Sequence, residues 1–584
     1  MTYSVKRFPL LSSRARLTLF TFAVMEILSR GQFLQTQSLP SAKPVAYHAS
    51  PLAARVQTAS ASEAYIDFLL ALRLAEDGSK PEALHRLAES LRIQSQDNSA
   101  SGLAFQLLTE QRANSRLILR GHTGVITHAA YSPDGSKIVT TSADHTARIW
   151  DAYSGRQLRP SLQHAARVFT AEFSPDGRRV VTGSEDGTAL VWDIETARPI
   201  GTPMYLKEGI PLAHFSPDGK LVATLSTDGK VRLWNAETGQ PVSPIIGYRG
   251  DAVSVAFSPD SAHAVVATSE NMADILDAKT GAHLPNPMRQ NNLVLTAVFS
   301  ADGNTVLTAS ADHTAKIWDA RTHLPTGFSF SHGASIEAAA FNHDATRVLT
   351  TSLDHTARVW DAKTGEPITP PLQHGAGVVR GAFSPDGNFV VTTAVDRATR
   401  VWDATSGEQV FLPIRTPGVA STAVFSPNSS SLMVSEGTTV QVFDIPPTGP
   451  TPTWVADLAE YASTQTKYNA HVPDLEKIKR LRLQLLASKD TDPWSTFGRW
   501  YFTESGVRPI SPWNTITLKQ YVDSLIEVGD KDSLQYAAEL SQDHPDWVIR
   551  IAALRKALGG NPSGTSVLDG TRAGIQKTPS TLAR

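Results

Sequence analysis

Apolar and polar residues alternate with a period of two over short runs in the middle of the chain. Ala129-Ala130-Tyr131, Lys137-Ile138-Val139-Thr140 and Ala147-Arg148-Ile149-Trp150 are one such set, each bounded by turn residues. Successive side chains of a strand point to opposite faces, so these runs predict short, half-buried strands. The same three runs return along the chain, and a fourth fits between one set and the next. Each copy therefore predicts a small antiparallel meander. Four twisted strands leave two faces to bury, and a ring of copies covers both.

The copies keep strict time. An aromatic-Asp pair or a close variant stands at Trp150, Trp192, Trp234, Leu276, Trp318, Trp360, Trp402 and Phe443, with steps of 42 residues six times and 41 once. Ser-Pro-Asp-Gly turns precede many of them, beginning at Ser132, Ser174, Ser216 and Ser384. A fixed period of this length marks a stacked repeat architecture. Over residues 115–445 the spacing, turns and aromatic positions resemble the WD40 family, whose fold is a β-propeller of four-stranded blades. Eight aromatic positions predict a mainly β protein with one closed eight-bladed ring. A seven-bladed ring with one decayed copy displaced is the alternative. The Pro-rich exit at 446–454 cannot supply a strand ladder, so Leu117-Ile118-Leu119 is expected to complete the last blade, as the resemblance also implies.

The flanks change period. Over 63–112, Tyr65, Phe68, Leu69 and Leu72 fall on one helical face. Leu84, Leu87, Leu91 and Ile93 fall on that of a second helix. Ser79 and Glu82 have the spacing of a capping box, with Pro81 in the first turn. A lone hairpin cannot bury its apolar face, so docking is expected. Residues 455–557 are helical again, with Ile478, Leu481 and Leu485 in phase and Thr517 with Gln520 as a second capping box. Both helical segments resemble tetratricopeptide-type hairpins. The layout resembles multi-domain bacterial WD40 proteins, without the kinase signature some of them carry.

The termini are of another kind. Residues 31–62 read as a Ser/Pro/Ala/Gln-rich linker, and 558–584 as a disordered tail. Over 1–30, basic residues precede the apolar stretch from Leu17 to Leu28. That order fits an export signal or anchor, but Glu26 interrupts it and no small-residue cleavage site follows at once. A disordered leader is the equal alternative. Localisation stays open between cytoplasm and cell envelope.

Composition narrows the chemistry. In 584 residues, 54 basic side chains meet 56 acidic ones for a formal net charge of −2. That balance gives no global attraction to nucleic acid. The absence of cysteine excludes thiolate metal sites, disulfides and cysteine nucleophiles. A short basic run, Lys477, Lys479, Arg480 and Arg482, reads as a solvated helix face.

His122, Thr140, Asp144 and Trp150 suggest a catalytic triad with an aromatic neighbour. The same offsets recur as His164, Thr182, Asp186 and Trp192, as His332, Thr350, Asp354 and Trp360, and as His374, Thr392, Asp396 and Trp402. A reaction centre is needed once, a blade-holding network in every blade. In WD40 proteins the matching positions form a hydrogen-bonded tetrad, so the resemblance implies structure here. Leu206 and Gln290 replace the His of the third and fifth copies. The fourth copy (Tyr248, Val266, Glu270, Leu276) and the eighth (Arg415, Met433, Gly437, Phe443) have lost the pattern. His145, His313 and His355 belong to copies spread round the ring and are expected to be turn residues, not a metal site. No catalytic residue, metal or cofactor is expected, and no non-repeated cluster of acids and bases stands out.

The expected function is a non-enzymatic scaffold that binds other proteins or peptides through a propeller rim and the helical flanks. Arg120, Arg167, Lys207, Arg249, Arg289 and Arg415 fall in or near the loops entering each blade, so an acidic partner would suit the rim. An envelope receptor or assembly factor is the alternative if residues 1–30 direct export. A propeller enzyme using the central channel ranks below both. Contact with a membrane is expected only through an N-terminal anchor.

Overall fold

The computed structural model describes residues 59–94, 98–109, 116–448, 450–464, 475–503, 508–529, 531–541 and 544–557. The expected leader, most of the linker and the tail lie outside the described residues. Eight small antiparallel sheets follow one another along the chain. The first comprises Ile126–Tyr131, Lys137–Ser142, Thr146–Asp151 and Leu162–Gln163. The third has three strands, and a single bridge from Val231 to Ile246 stands for its outer one.

The eighth blade is completed from the other end of the repeat region. Leu117–Leu119 pairs antiparallel with Thr439–Asp444, Leu117 opposite Val442 and Leu119 opposite Val440. The ring is thus eight-bladed and closed, and the seven-bladed alternative falls away. Arg116, just ahead of the closing strand, meets Asp444 at 3.3 Å with both side chains almost fully buried. The Ile126 amide donates to the Gly437 carbonyl at 2.7 Å, stitching blade one to blade eight.

Cores lie between blades. Val139, Ile149 and Leu162 of blade one pack with Val180 and Trp192 of blade two, and equivalent clusters recur round the ring. The turns that set the strands apart are held locally. Ser132 Oγ donates to Asp134 at 2.6 Å, and Asp134 accepts the Ser136 amide at 3.0 Å. At the opposite hairpin, one position takes a left-handed backbone in every blade, occupied by His145, Gly187, Gly229, Asn271, His313, His355, Arg397 and Gly437. That conformation accounts for the small or polar residues there and makes His145, His313 and His355 turn residues.

Helices α1 (Ala59–Glu76), α2 (Lys80–Ile93), α3 (Asn98–Leu108), α4 (Thr453–Ser463), α5 (Leu475–Ala487) and α6 (Pro493–Phe502) share one compact unit with the propeller. The helix α1 begins inside the segment expected to be linker. Its buried face is Ala64, Asp67, Phe68, Ala71 and Ala75, while Tyr65 and Leu69 are exposed. The expected face was therefore rotated, because small alanines rather than the large residues meet α2. Ile93 is likewise exposed, whereas Leu84, Leu87 and Leu91 are buried.

Ser79 starts α2, but its side chain makes no capping bond. Its amide instead donates to Leu74 O at 2.8 Å, and Gly78 to Ala75 O at 3.3 Å. The 78–79 backbone thus terminates α1 in a Schellman-type turn, which takes Ser79 out of the extended geometry a cap needs.

The first three helices dock as a group. Leu87, Leu103 and Phe105 share a core with Leu412, Val455, Leu458, Trp494 and Phe497. Gly102 lets α3 approach the propeller closely, since a Cβ there would stand 2.2 Å from Val410 Cγ1. Gln106 accepts the Leu412 amide at 2.9 Å, and Asn98 donates to Asp403 at 3.0 Å. In α5 the basic run is partly neutralised, Lys477 pairing with Asp457 and Lys479 with Glu476, both at 2.7 Å.

A second unit contains α7 (Leu518–Val528), α8 (Lys531–Leu540) and α9 (Pro545–Ala557). Thr517 and Gln520 form the expected reciprocal capping box. Tyr521, Val522, Leu525, Leu534, Tyr536, Ala537 and Ile551 are among its buried side chains. No helix among the described residues is long and apolar enough to cross a membrane.

Candidate binding face of the propeller

The recurring polar positions come together on the face that carries the loops entering each blade. In blade one His122 Nδ1 lies 2.8 Å from Asp144 and its Nε2 lies 2.7 Å from Thr140 Oγ1, which accepts from Trp150 Nε1 at 2.8 Å. Blade two repeats this through His164, Asp186, Thr182 and Trp192 at 3.3, 2.7 and 2.8 Å. Blade six does so through His332, Asp354, Thr350 and Trp360 at 2.9, 2.8 and 2.8 Å.

The indole can only donate, which sets the direction of the relay. Thr140 accepts from Trp150 and donates to His122 Nε2, and His122 Nδ1–H donates to Asp144. Burial lowers the pKa of His122 against the pull of Asp144, so the ring is neutral. Burial works against the Asp144 carboxylate, but bonds from Thr146 and His122 outweigh it and hold the carboxyl at about 2.

Blade seven departs from the expected tetrad. Thr392 holds His374 Nε2 and Trp402 Nε1, each at 2.8 Å, but Asp396 turns to Arg400 at 2.9 Å. Arg400 also donates to His374 Nδ1 at 2.6 Å, so Nε2 must carry the proton and the His–Thr bond is reversed, Thr392 accepting from both His374 and Trp402. The cause is local. Ala398 stands where Thr146, Thr188 and Thr356 bond the equivalent Asp in the other three blades. Burial and the Arg400 charge push His374 down to about 3.

Blades three and five keep only the Trp–Thr bond, Trp234 to Thr224 and Trp318 to Thr308, both at 2.8 Å. Gln290 is buried with neither amide atom bonded. Blade four carries a different network. Tyr248 donates to Asp274 at 3.2 Å, and Asp274 also meets His283 at 2.5 Å. Asp274 sits two residues before Leu276, at the position of Arg148 and Arg232, which sequence comparison of the tetrad positions alone passes over.

The candidate rim divides. Arg249, Arg289 and Arg415 are exposed, and among the described residues their side chains carry no hydrogen bond or ion pair. Arg289 and Arg415 end short outer strands opposite Met272 and Ala398 rather than lying in loops. Lys207 is exposed and stands 4.0 Å from Glu208. Arg120 and Arg167 are half-buried and engaged by other groups, so they are not the free cations expected from sequence.

Contrary to expectation, the channel does hold a non-repeated polar cluster. His128, Glu172, His214 and Arg380 lie on first strands, and Glu172 meets His214 at 2.7 Å. The sequence signal was present at offsets two and four of those strands, where most copies carry small or apolar residues. Among the described residues no group of His, Asp or Glu could hold a metal ion.

The family model for the WD domain, G-beta repeat, matches residues 114–151, 156–193, 212–235, 284–319, 325–361 and 366–403. The third copy is matched only in part, and the span from 236 to 283, where blade four has lost its tetrad, is unmatched. Among solved structures, the crystal structure of the computationally designed Ika8 protein is similar. It has a TM-score of 0.51 and 25% identity, covering 57% of this chain and 100% of that one. No curated protein matches the chain.

Proposed function

This chain is a WD40-repeat β-propeller protein, and from that premise we propose that it is a non-enzymatic scaffold that binds an acidic protein or peptide. The observation that carries the reading is the division of polar groups on one face. The histidines, threonines and aspartates that could do chemistry are committed to neutral or internally paired hydrogen bonds that hold blades together. Arg249, Arg289 and Arg415 stand exposed on the same face, with no side-chain hydrogen bond or ion pair among the described residues. A rigid ring with variable loops suits recognition of an extended surface. The tetrads are structural in this reading, and the helical flanks add a second protein-facing surface.

The test is capture of partner chains by the immobilised full-length protein, compared with an Arg249→Glu/Arg289→Glu variant. Capture should fall in the variant, and fall in the parent as salt is raised. Stability should change by no more than about 0.5 kcal/mol, since both sites are exposed. Equal capture by parent and variant at low and moderate salt would refute the rim reading.

A further inference from the structure

The first strands surround the axis of the ring, and most carry a bulge between their first and third residues, after which the side chains alternate. Ala129, Ala171, Ala213 and Ala297 are buried on one face. The neighbouring positions on either side project into the axial space. On one arc these are small or apolar, Ala256, Val298, Ala340 and Ala382 among them. On the other arc stand His128, Glu172 and His214, with Arg380 of blade seven facing them.

The charges do not cancel. Glu172 and His214 neutralise each other at 2.7 Å. His128 Nδ1 donates to the Ala171 carbonyl at 3.1 Å. Burial first, then the Arg380 and His214 charges, hold His128 down to about 4, so it is neutral. First strands of successive blades lie side by side round the ring, which sets these side chains about one axial space. Among the described residues the Arg380 side chain has no hydrogen bond or ion pair. Its side chain is exposed to solvent, while the surrounding protein lowers its pKa by desolvation. The channel therefore carries one uncompensated guanidinium where low-dielectric walls focus its field. A guanidinium's planar fork matches a carboxylate or phosphate with two parallel bonds.

We propose that the central channel is a binding site for a single oxyanion, a carboxylate or phosphate group seated on Arg380 beside His128. The site does not depend on the rim. Charge reversal at Arg249 and Arg289 reads the rim, whereas the channel is read without any partner protein.

The experiment is calorimetric titration of the full chain with inorganic phosphate and, separately, with N-acetylaspartate as a stand-in for an acidic side chain. At least one probe should bind saturably at one site per chain. Affinity should fall at least about tenfold in Arg380→Gln, a loss on the scale of one charge-assisted hydrogen bond. A second variant, Ala382→Glu, places a carboxylate two residues along the same strand face and should abolish binding while leaving Arg380 in place. Glutamate is tolerated at that offset, since Glu172 occupies it in blade two. Arg249→Glu should bind as the parent does. Preference for phosphate would identify a free or esterified phosphate, and preference for N-acetylaspartate an acidic side chain. Absence of saturable binding by both probes, or parental affinity in folded Arg380→Gln and Ala382→Glu, would overturn the site.

Discussion

Replacing Arg116 by Met should open the ring at its seam. Arg116 and Asp444 stand 3.3 Å apart, with side chains 4% and 0% exposed. At an effective dielectric of about 20, two unit charges at that distance attract by roughly 5 kcal/mol. Desolvation of both ions offsets much of this, so the pair itself adds little net stability. Removing one partner is another matter, because Asp444 stays buried while losing its ion pair with Arg116, at a cost of about 3–5 kcal/mol. Against a total stability of order 5–15 kcal/mol, that is a large fraction. The loss should be read by urea unfolding, with blade-eight opening reported by hydrogen exchange at Val440 and Val442, the partners of Leu119 and Leu117. The double variant Arg116→Met/Asp444→Leu should recover most of the deficit, because it removes both charges and keeps the volume apolar. A single variant costing under about 1 kcal/mol, or a double variant as unstable as the two singles added, would refute the argument.

Gly102→Ala should destabilise by about 1–3 kcal/mol despite alanine's better helix propensity, because the new Cβ collides with Val410; a neutral or raised melting temperature would contradict the close docking of α3. Asp354→Ala should cost about 1–3 kcal/mol by stranding His332 and the Gly333 amide, which lies 2.9 Å from that carboxylate, as measured by denaturant unfolding. Acid should erode the fold in two stages, measured as a pH series of unfolding free energies. His374, at about 3 when folded and about 6.5 when unfolded, contributes stability that is full above pH 6.5 and lost as pH falls toward 3. Asp144, at about 2 when folded, contributes stability present above about pH 4 and lost as pH falls through 2. His374→Gln should flatten the upper stage.

Much of this molecule was legible in the chain because its information is local and repeated. Ser132 and Asp134 close their turn within a few residues, and Thr140 stands ten residues from the Trp150 indole it accepts from. Spacing alone could therefore place the strands, the turns and three of the four tetrads. Closure by Leu117–Leu119 was also legible, since a strand without a partner and a blade without an edge leave one economical pairing. What the sequence could not determine was anything set by radial position or by neighbours far along the chain. His128, Glu172, His214 and Arg380 look like scattered polar residues until the ring sets their strands about one axis. Arg116 and Asp444 are more than three hundred residues apart, and only the closed ring turns them into a buried pair. The face of α1 was misjudged because periodicity identifies an apolar stripe but not which part of it a neighbour covers, and close packing against α2 favoured alanine over tyrosine and leucine. Blade seven's reversed His–Thr bond goes with Ala398, which brings no hydroxyl to Asp396, and with Arg400, which takes the carboxylate oxygen that the histidine holds in the other tetrads. Local chemistry determined the repeat, whereas the electrostatics of the channel and the seam arise from burial and long-range proximity, which only the tertiary structure decides.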